Sequence, residues 1–144
     1  MDRLACKARA LSRAIAVALA VAASSVALGA DVKVTLTGDQ EVPPVKTEAS
    51  GSGTITIGDE RAVSGNITTK GIKGSAAHIH EAPAGKNGGV IVPLAMGSTE
   101  GTWAVPQGAK LSDAQVASFK AGNLYVNVHS AAHPDGEIRG QLKP

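Results

Sequence analysis

From Asp31 onward the chain reads mostly as short segments in which apolar and polar residues alternate, the period of a strand with one face buried. Asp31-Val-Lys-Val-Thr-Leu-Thr37 sets Val32, Val34 and Leu36 against polar positions, and Gly38 and Asp39 end the run. Gln40 to Ser50 contains Pro43-Pro44 and no strong period, which suits an extended edge or a loop. Gly53–Ile57 and Ala62–Thr68 flank the polar connection Gly58-Asp-Glu-Arg61 and together read as a hairpin. Ser75–Glu81 is the next strand, followed by a glycine-rich loop from Ala82 to Gly89, the apolar run Val90–Leu94 and the short strand Gly101–Val105. The last two strands are Asn123–His129 and Glu137–Leu142, joined through His133-Pro-Asp-Gly136, whose residues favour a turn.

A helical period replaces the alternation at one place in this part of the chain. Ser112 can cap a helix, Gln115 stands three residues on as its capping-box partner, and Leu111 can staple to Val116. Gly122 ends the segment, and Val116 and Phe119 give it an apolar face to pack on a sheet. About seven strands with one short helix predict an all-β fold, an antiparallel Greek-key-like β-sandwich or flattened barrel. Its core is aliphatic, because Trp103, Phe119 and Tyr125 are the only aromatic residues.

Strand parity then sorts the side chains. With Leu124, Val126 and Val128 in the core, Tyr125, Asn127 and His129 point outward; with Ile79 in the core, His78 and His80 point outward. The chain's four histidines thus lie in two short segments, Ser75–Glu81 and Leu124–Gly136, with their imidazoles on the outer side of the sheet, where the loop from Ala82 to Gly89 can cover them. That loop matches neither glycine-rich nucleotide fingerprint in its spacing, and no helix follows it.

The N-terminus reads differently. Arg3, Lys7, Arg9 and Arg13 precede the apolar run Ala14–Ala23, which has the length of a signal peptide and not of a membrane span. Ala27-Leu-Gly-Ala30 suggests cleavage after Ala30, with cleavage after Gly29 satisfying the same rule, so residues 1–30 are expected to be a secretory signal and 31–144 a single β domain. Export places the domain in the periplasm or outside the cell, with no membrane span in the mature chain.

Removing the signal changes the charge. It takes four of the fourteen Lys and Arg residues and one of the twelve acids, leaving ten basic and eleven acidic residues and a formal charge of −1. No basic patch with interleaved aromatics remains, which excludes nucleic acid as a partner. The single cysteine, Cys6, lies upstream of the apolar run, so the mature domain has neither a lipid anchor of that kind nor a disulfide. The remaining 114 residues are enough for one core, and a bound metal could help to hold them.

The histidines carry the chemistry. Three or four neutral imidazoles without thiolate suit copper, zinc or nickel, and copper binds most tightly among these divalent ions. His78, His80 and His129 are the expected ligands. His133, four residues past His129 in a turn, is a fourth ligand, a bridging substitute or a solvated residue. Glu81, Asp135 and Glu137 could accept hydrogen bonds that fix the imidazole tautomers. Arg139 points to the same face and could guide an anion, although cross-strand ion pairing is the more frequent use. The bland alternative is that these are separate surface histidines, with His129 only capping a turn.

His78-Ile-His80, Gly122-Asn-Leu-Tyr-Val-Asn-Val-His129 and Pro134-Asp-Gly-Glu-Ile-Arg-Gly-Gln-Leu142 resemble the CHRD domain, named from chordin and also found in microbial exported proteins. The resemblance covers approximately Val32 to Leu142 and implies an extracytoplasmic β domain, but no single activity. His78-Ile-His80-Glu81 with the later Val128-His129 and an Asp-Gly turn is also similar, more distantly, to copper/zinc superoxide dismutase. That likeness implies copper ligation by His78, His80 and His129; the bridging histidine, the histidine-rich zinc loop and the disulfide of that family have no counterpart. Three classes follow: a metal protein for copper storage, buffering or delivery, with zinc the alternative ion; a dismutase-like copper enzyme; or a metal-independent protein-binding module whose partner the sequence does not name.

Overall fold

Val32, Val34 and Leu36 are buried while Lys33 and Thr35 are exposed, so the first strand is built as its alternation dictates. The computed structural model describes residues 29–144; the secretory signal expected over residues 1–30 lies, but for its last two residues, outside that range. Within it run β1 (Ala30–Thr37), β2 (Ser50–Ile57), β3 (Val63–Lys70), β4 (Gly74–Glu81), β5 (Gly89–Met96), β6 (Thr102–Ala104), α1 (Asp113–Lys120), β7 (Leu124–Ser130) and β8 (Ile138–Leu142).

The strands pair antiparallel and close into one barrel in the order β1-β2-β3-β6-β5-β4-β7-β8. The sheet therefore closes on itself and does not split into a two-sheet sandwich. Two connections depart from a simple meander. Gly71-Ile72-Lys73 carries the chain from β3 past β6 and β5 to β4, and the segment containing α1 carries it from β6 past β5 and β4 to β7. Closure rests on β1 and β8, where Thr37 lies opposite Arg139. Closure also removes the open edge strands that a β protein must otherwise protect.

The barrel interior is filled by residues from every strand, among them Leu36, Ile55, Ile67, Ile79, Trp103, Val126 and Ile138. Each fully buried aliphatic side chain contributes roughly 1.5–3 kcal/mol relative to leaving it in water. Helix α1 starts with a complete capping box: Gln115 N–H donates to Ser112 Oγ at 3.1 Å, and Ser112 N–H donates to Gln115 Oε1 at 2.8 Å. Phe119 is buried and Val116 packs against the core at its edge, so the helix joins the core as a structural element. Among the described residues no helix is long and apolar enough to cross a membrane.

Candidate metal centre

β7 lies between β4 and β8, and register fixes what its two faces meet. Inward, Val126 sits opposite Ile79 on one side and Gly140 on the other. Outward, Asn127 lies between His78 and Arg139, Tyr125 between His80 and Gln141, and His129 opposite Ala76. Period-two alternation alone thus gathers His78, His80 and His129 around Asn127.

Parity sends these side chains outward, yet the outer face of this wall is not bare. Arg139 is 1% exposed, Tyr125 2%, Asn127 3% and His80 8%. Two segments cover them, Glu41–Ala49 and Ala82–Gly88. The Arg139 guanidinium donates to Lys86 O at 2.8 Å and to Pro83 O at 3.1 Å. Gln141 Nε2 donates to Ala82 O at 2.9 Å, and Asn87 Nδ2 ties the two segments together through Val42 O at 2.7 Å. Thr47 Oγ1 donates to Glu137 Oε1 at 2.6 Å. Arg139 therefore anchors the loop; it is not free to guide an anion, and its charge rests on the Tyr125 ring, 3.5 Å from the centroid.

The imidazoles are held by main-chain carbonyls. His80 Nδ1 lies 2.9 Å from Gly88 O, and His129 Nδ1 lies 2.8 Å from Pro134 O. A carbonyl only accepts, so in each ring the proton sits on Nδ1 and the lone pair on Nε2. His78 Nδ1 is 3.0 Å from His129 Nε2 and, in the absence of a metal, donates to it. One ring nitrogen from each of the three lies within 4.8 Å of the others. His80 also stacks on Tyr125, with centroids 4.8 Å apart and planes 5° from parallel, which fixes its rotation.

Gly88 shows why this loop needs its glycines. A Cβ there would lie 1.8 Å from Glu81 O, and the same residue donates N–H to the Tyr125 hydroxyl at 3.1 Å while its carbonyl holds His80. Any side chain would move both contacts at once.

The electrostatics favour neutral imidazoles. Burial, reinforced by the nearby His129 and His80, lowers the pKa of His78. Burial is also the largest cause at His80 and lowers its pKa, while the Gly88 carbonyl works the other way. Burial pushes Glu41 up to about 7 in spite of Arg139 and Asn127 nearby. At Glu137 burial raises the pKa, but hydrogen bonds from Ser130 and Thr47 outweigh it and the net shift is downward.

The structure brings His78, His80 and His129 together as alternation implied, and it leaves His133 outside. His133 belongs to the turn after β7: its N–H donates to Ser130 O at 3.2 Å and its carbonyl accepts from Gly136 N at 3.1 Å. Two of the expected acceptors are engaged elsewhere. Glu81 accepts from Ser118, and Glu137 accepts from Thr47 and Ser130, so the ring tautomers are set by the carbonyls of Gly88 and Pro134. Main-chain carbonyls leave no mark in a sequence, although the Pro-Asp-Gly turn that presents one of them does.

Three polar atoms between this wall and its cover are buried without a partner: His80 Nε2, Asn127 Oδ1 and Glu41 Oε1. A buried lone pair with nothing to receive it costs on the order of 1–3 kcal/mol, so the arrangement calls for an ion or a donor. Three neutral imidazoles, two of them oriented from behind, could hold a metal ion. Residues 32–142 match the family model of the CHRD domain. No significant similarity to a curated protein or to a solved structure accompanies that match.

Proposed function

The chain belongs to the CHRD domain family, and from that membership and the imidazole triad we propose that it is an exported copper-binding protein that stores, buffers or delivers the ion through His78, His80 and His129. The observation that carries the reading is His80: its Nδ1 proton is committed to Gly88 O, and its Nε2 lone pair is buried without a partner. A ring held from behind with its other nitrogen free is the usual arrangement of a ligating histidine. His129 repeats it with Pro134 O. An all-imidazole donor set suits copper first and zinc second. Export rests on the basic and apolar character of residues 1–30.

A dismutase-like reading fits less well. Arg139 is the cation nearest this wall in the register, and it is buried under the Ala82–Gly88 loop with its donors engaged, so it offers an incoming anion little. A purely protein-binding module would have no use for an oriented, unpartnered imidazole. His133 contributes at most at the rim, outside the triad.

The test is a copper and zinc titration of the protein purified without a histidine tag. Wild type is expected to bind one Cu(II) per chain, with zinc weaker, and His78→Ala, His80→Ala and His129→Ala each to lose at least about tenfold in affinity. His133→Ala should stay near wild type. Titrations of all three triad variants that overlay wild type would refute the site.

A further inference from the structure

The triad leaves one neighbour unexplained. Asn127 projects from the same face of the wall, level with His78 across the β4–β7 pair, two residues from His129 along β7 and diagonal to His80. It is 3% exposed, and its Oδ1 has no hydrogen-bond partner. An asparagine on a strand that is otherwise Leu, Val, Tyr, His and Ser incurs a burial cost that an aliphatic residue would avoid.

Its orientation has an identifiable cause. The Glu41 carboxyl lies beside the amide end of Asn127. Gly136 makes room for both: a Cβ at that position, where φ is +126°, would fall 2.5 Å from Glu41 Oε1 and 2.7 Å from Asn127 Nδ2. With Nδ2 turned to the carboxyl, Oδ1 must turn the other way. On that face His80 lies diagonal to Asn127 across the β4–β7 pair, and the two make no hydrogen bond. Oδ1 and His80 Nε2 are therefore two buried acceptor atoms on one face of the wall, neither with a donor, a juxtaposition that a cation would relieve.

We propose that Asn127 Oδ1 is a fourth donor to the metal held by His78, His80 and His129, and that Glu41 acts behind it as a positioning residue that keeps the carbonyl end of the amide aimed at the ion. The site is then three nitrogens and one neutral oxygen, with no anionic ligand. This rests on the metal-binding reading above and specifies its coordination. It also assigns work to Gly136, which lies within the Pro134–Leu142 stretch that resembles the family: it leaves space for the carboxyl that aims the amide.

The decisive experiment needs no substitution. Copper(II)-loaded wild-type protein, grown with 13C in the side-chain carbonyl of asparagine, is examined by pulsed electron paramagnetic resonance. Imidazole 14N couplings together with a 13C coupling, the latter absent from equally labelled Asn127→Ala, would support the proposal. Imidazole couplings without any 13C coupling would overturn it and leave the triad standing; failure of wild type to take up copper would remove the triad as well. In titration, Asn127→Ala should lose roughly 10- to 100-fold in copper affinity. Asn127→Asp, which keeps the shape and an oxygen donor, should retain binding and alter the copper hyperfine pattern. Glu41→Gln, an amide no longer able to dictate which end of Asn127 faces it, should weaken binding less and broaden the 13C coupling. Asn127→Ala binding as wild type, with an unchanged spectrum, would refute the assignment.

Discussion

The two halves of the barrel wall obey one alternation rule and reach opposite results on their outer faces. In β1 and β3, outward positions such as Lys33, Thr35, Asn66 and Thr68 are exposed, as polar residues on a one-sided sheet should be. In β4, β7 and β8, the outward positions His80, Tyr125, Asn127 and Arg139 are as buried as the core. Inward the halves are alike. The difference comes from Glu41–Ala49 and Ala82–Gly88, which lie over the second half and are fastened by Arg139, Gln141, Tyr125 and Asn87. A wall covered on one face needs only apolar packing. A wall covered on both must satisfy every polar group it carries, and the groups it leaves unsatisfied mark where a ligand belongs.

Breaking the inner packing should do the most to stability. Ile79→Ala, at a position 1% exposed between the two histidines of β4, is expected to cost about 2–5 kcal/mol in urea unfolding. Its effect on copper should follow from lost stability alone, so near-saturating copper restores much of the midpoint.

Glu41 supplies the next effect, through pH. Its folded pKa of about 7 lies above the ordinary 4.5, so the unfolded chain releases the proton first. The contribution of this group is fully present below about 4.5 and is lost as pH rises through about 7. The loss is on the order of 3–4 kcal/mol at most, from roughly 1.4 kcal/mol per pKa unit. The lowered pKa values of His78 and His80 act in the opposite sense, their contribution lost as pH falls below the ordinary 6.5. The wild-type minus Glu41→Gln difference in metal-free protein isolates the carboxyl; a difference that does not change between pH 4.5 and 8 would show that Glu41 titrates normally.

Arg139→Lys tests the fastening itself. One ammonium cannot reproduce the forked contacts to Pro83 O and Lys86 O or the stacking on Tyr125, so a loss of about 1–3 kcal/mol is expected, with faster amide exchange across residues 82–88. Unchanged exchange there would mean that Gln141, Asn87 and Gly88 hold the loop without help from Arg139. The smallest effect belongs to the uncovered half, where Thr68→Ala should stay within about 0.5 kcal/mol of wild type.

What the sequence made legible follows the same division. The inner face could be read almost residue by residue, because Val32, Val34, Leu36, Ile79, Val126 and Val128 announce their direction by alternation. The triad could be read because His78 and His80 share parity and His129 ends a strand of known direction. His133 could not be excluded from sequence, since only the fold of the Ser130–Gly136 turn carries it away. The outer layer was largely illegible: Glu41 sits in a segment without period, Asn127 looks like an ordinary outward polar residue, and Arg139 became a fastening only when a loop some fifty residues away in sequence came to rest on it.

The closure of β8 onto β1 has a consequence in time as well as in space. Arg139 and Gln141, which latch the loop behind His80, sit on the last strand in chain order, and that strand meets β1 across about a hundred residues, Thr37 opposite Arg139. Contacts of such long sequence separation form late, because their loop-closure entropy must be met before they stabilise anything. The barrel wall around His78 can therefore assemble before the loop is locked, and the ordered site is among the last features of the fold to appear. During folding, a metal ion would meet mobile histidines first and only at the end a ring fixed to accept it.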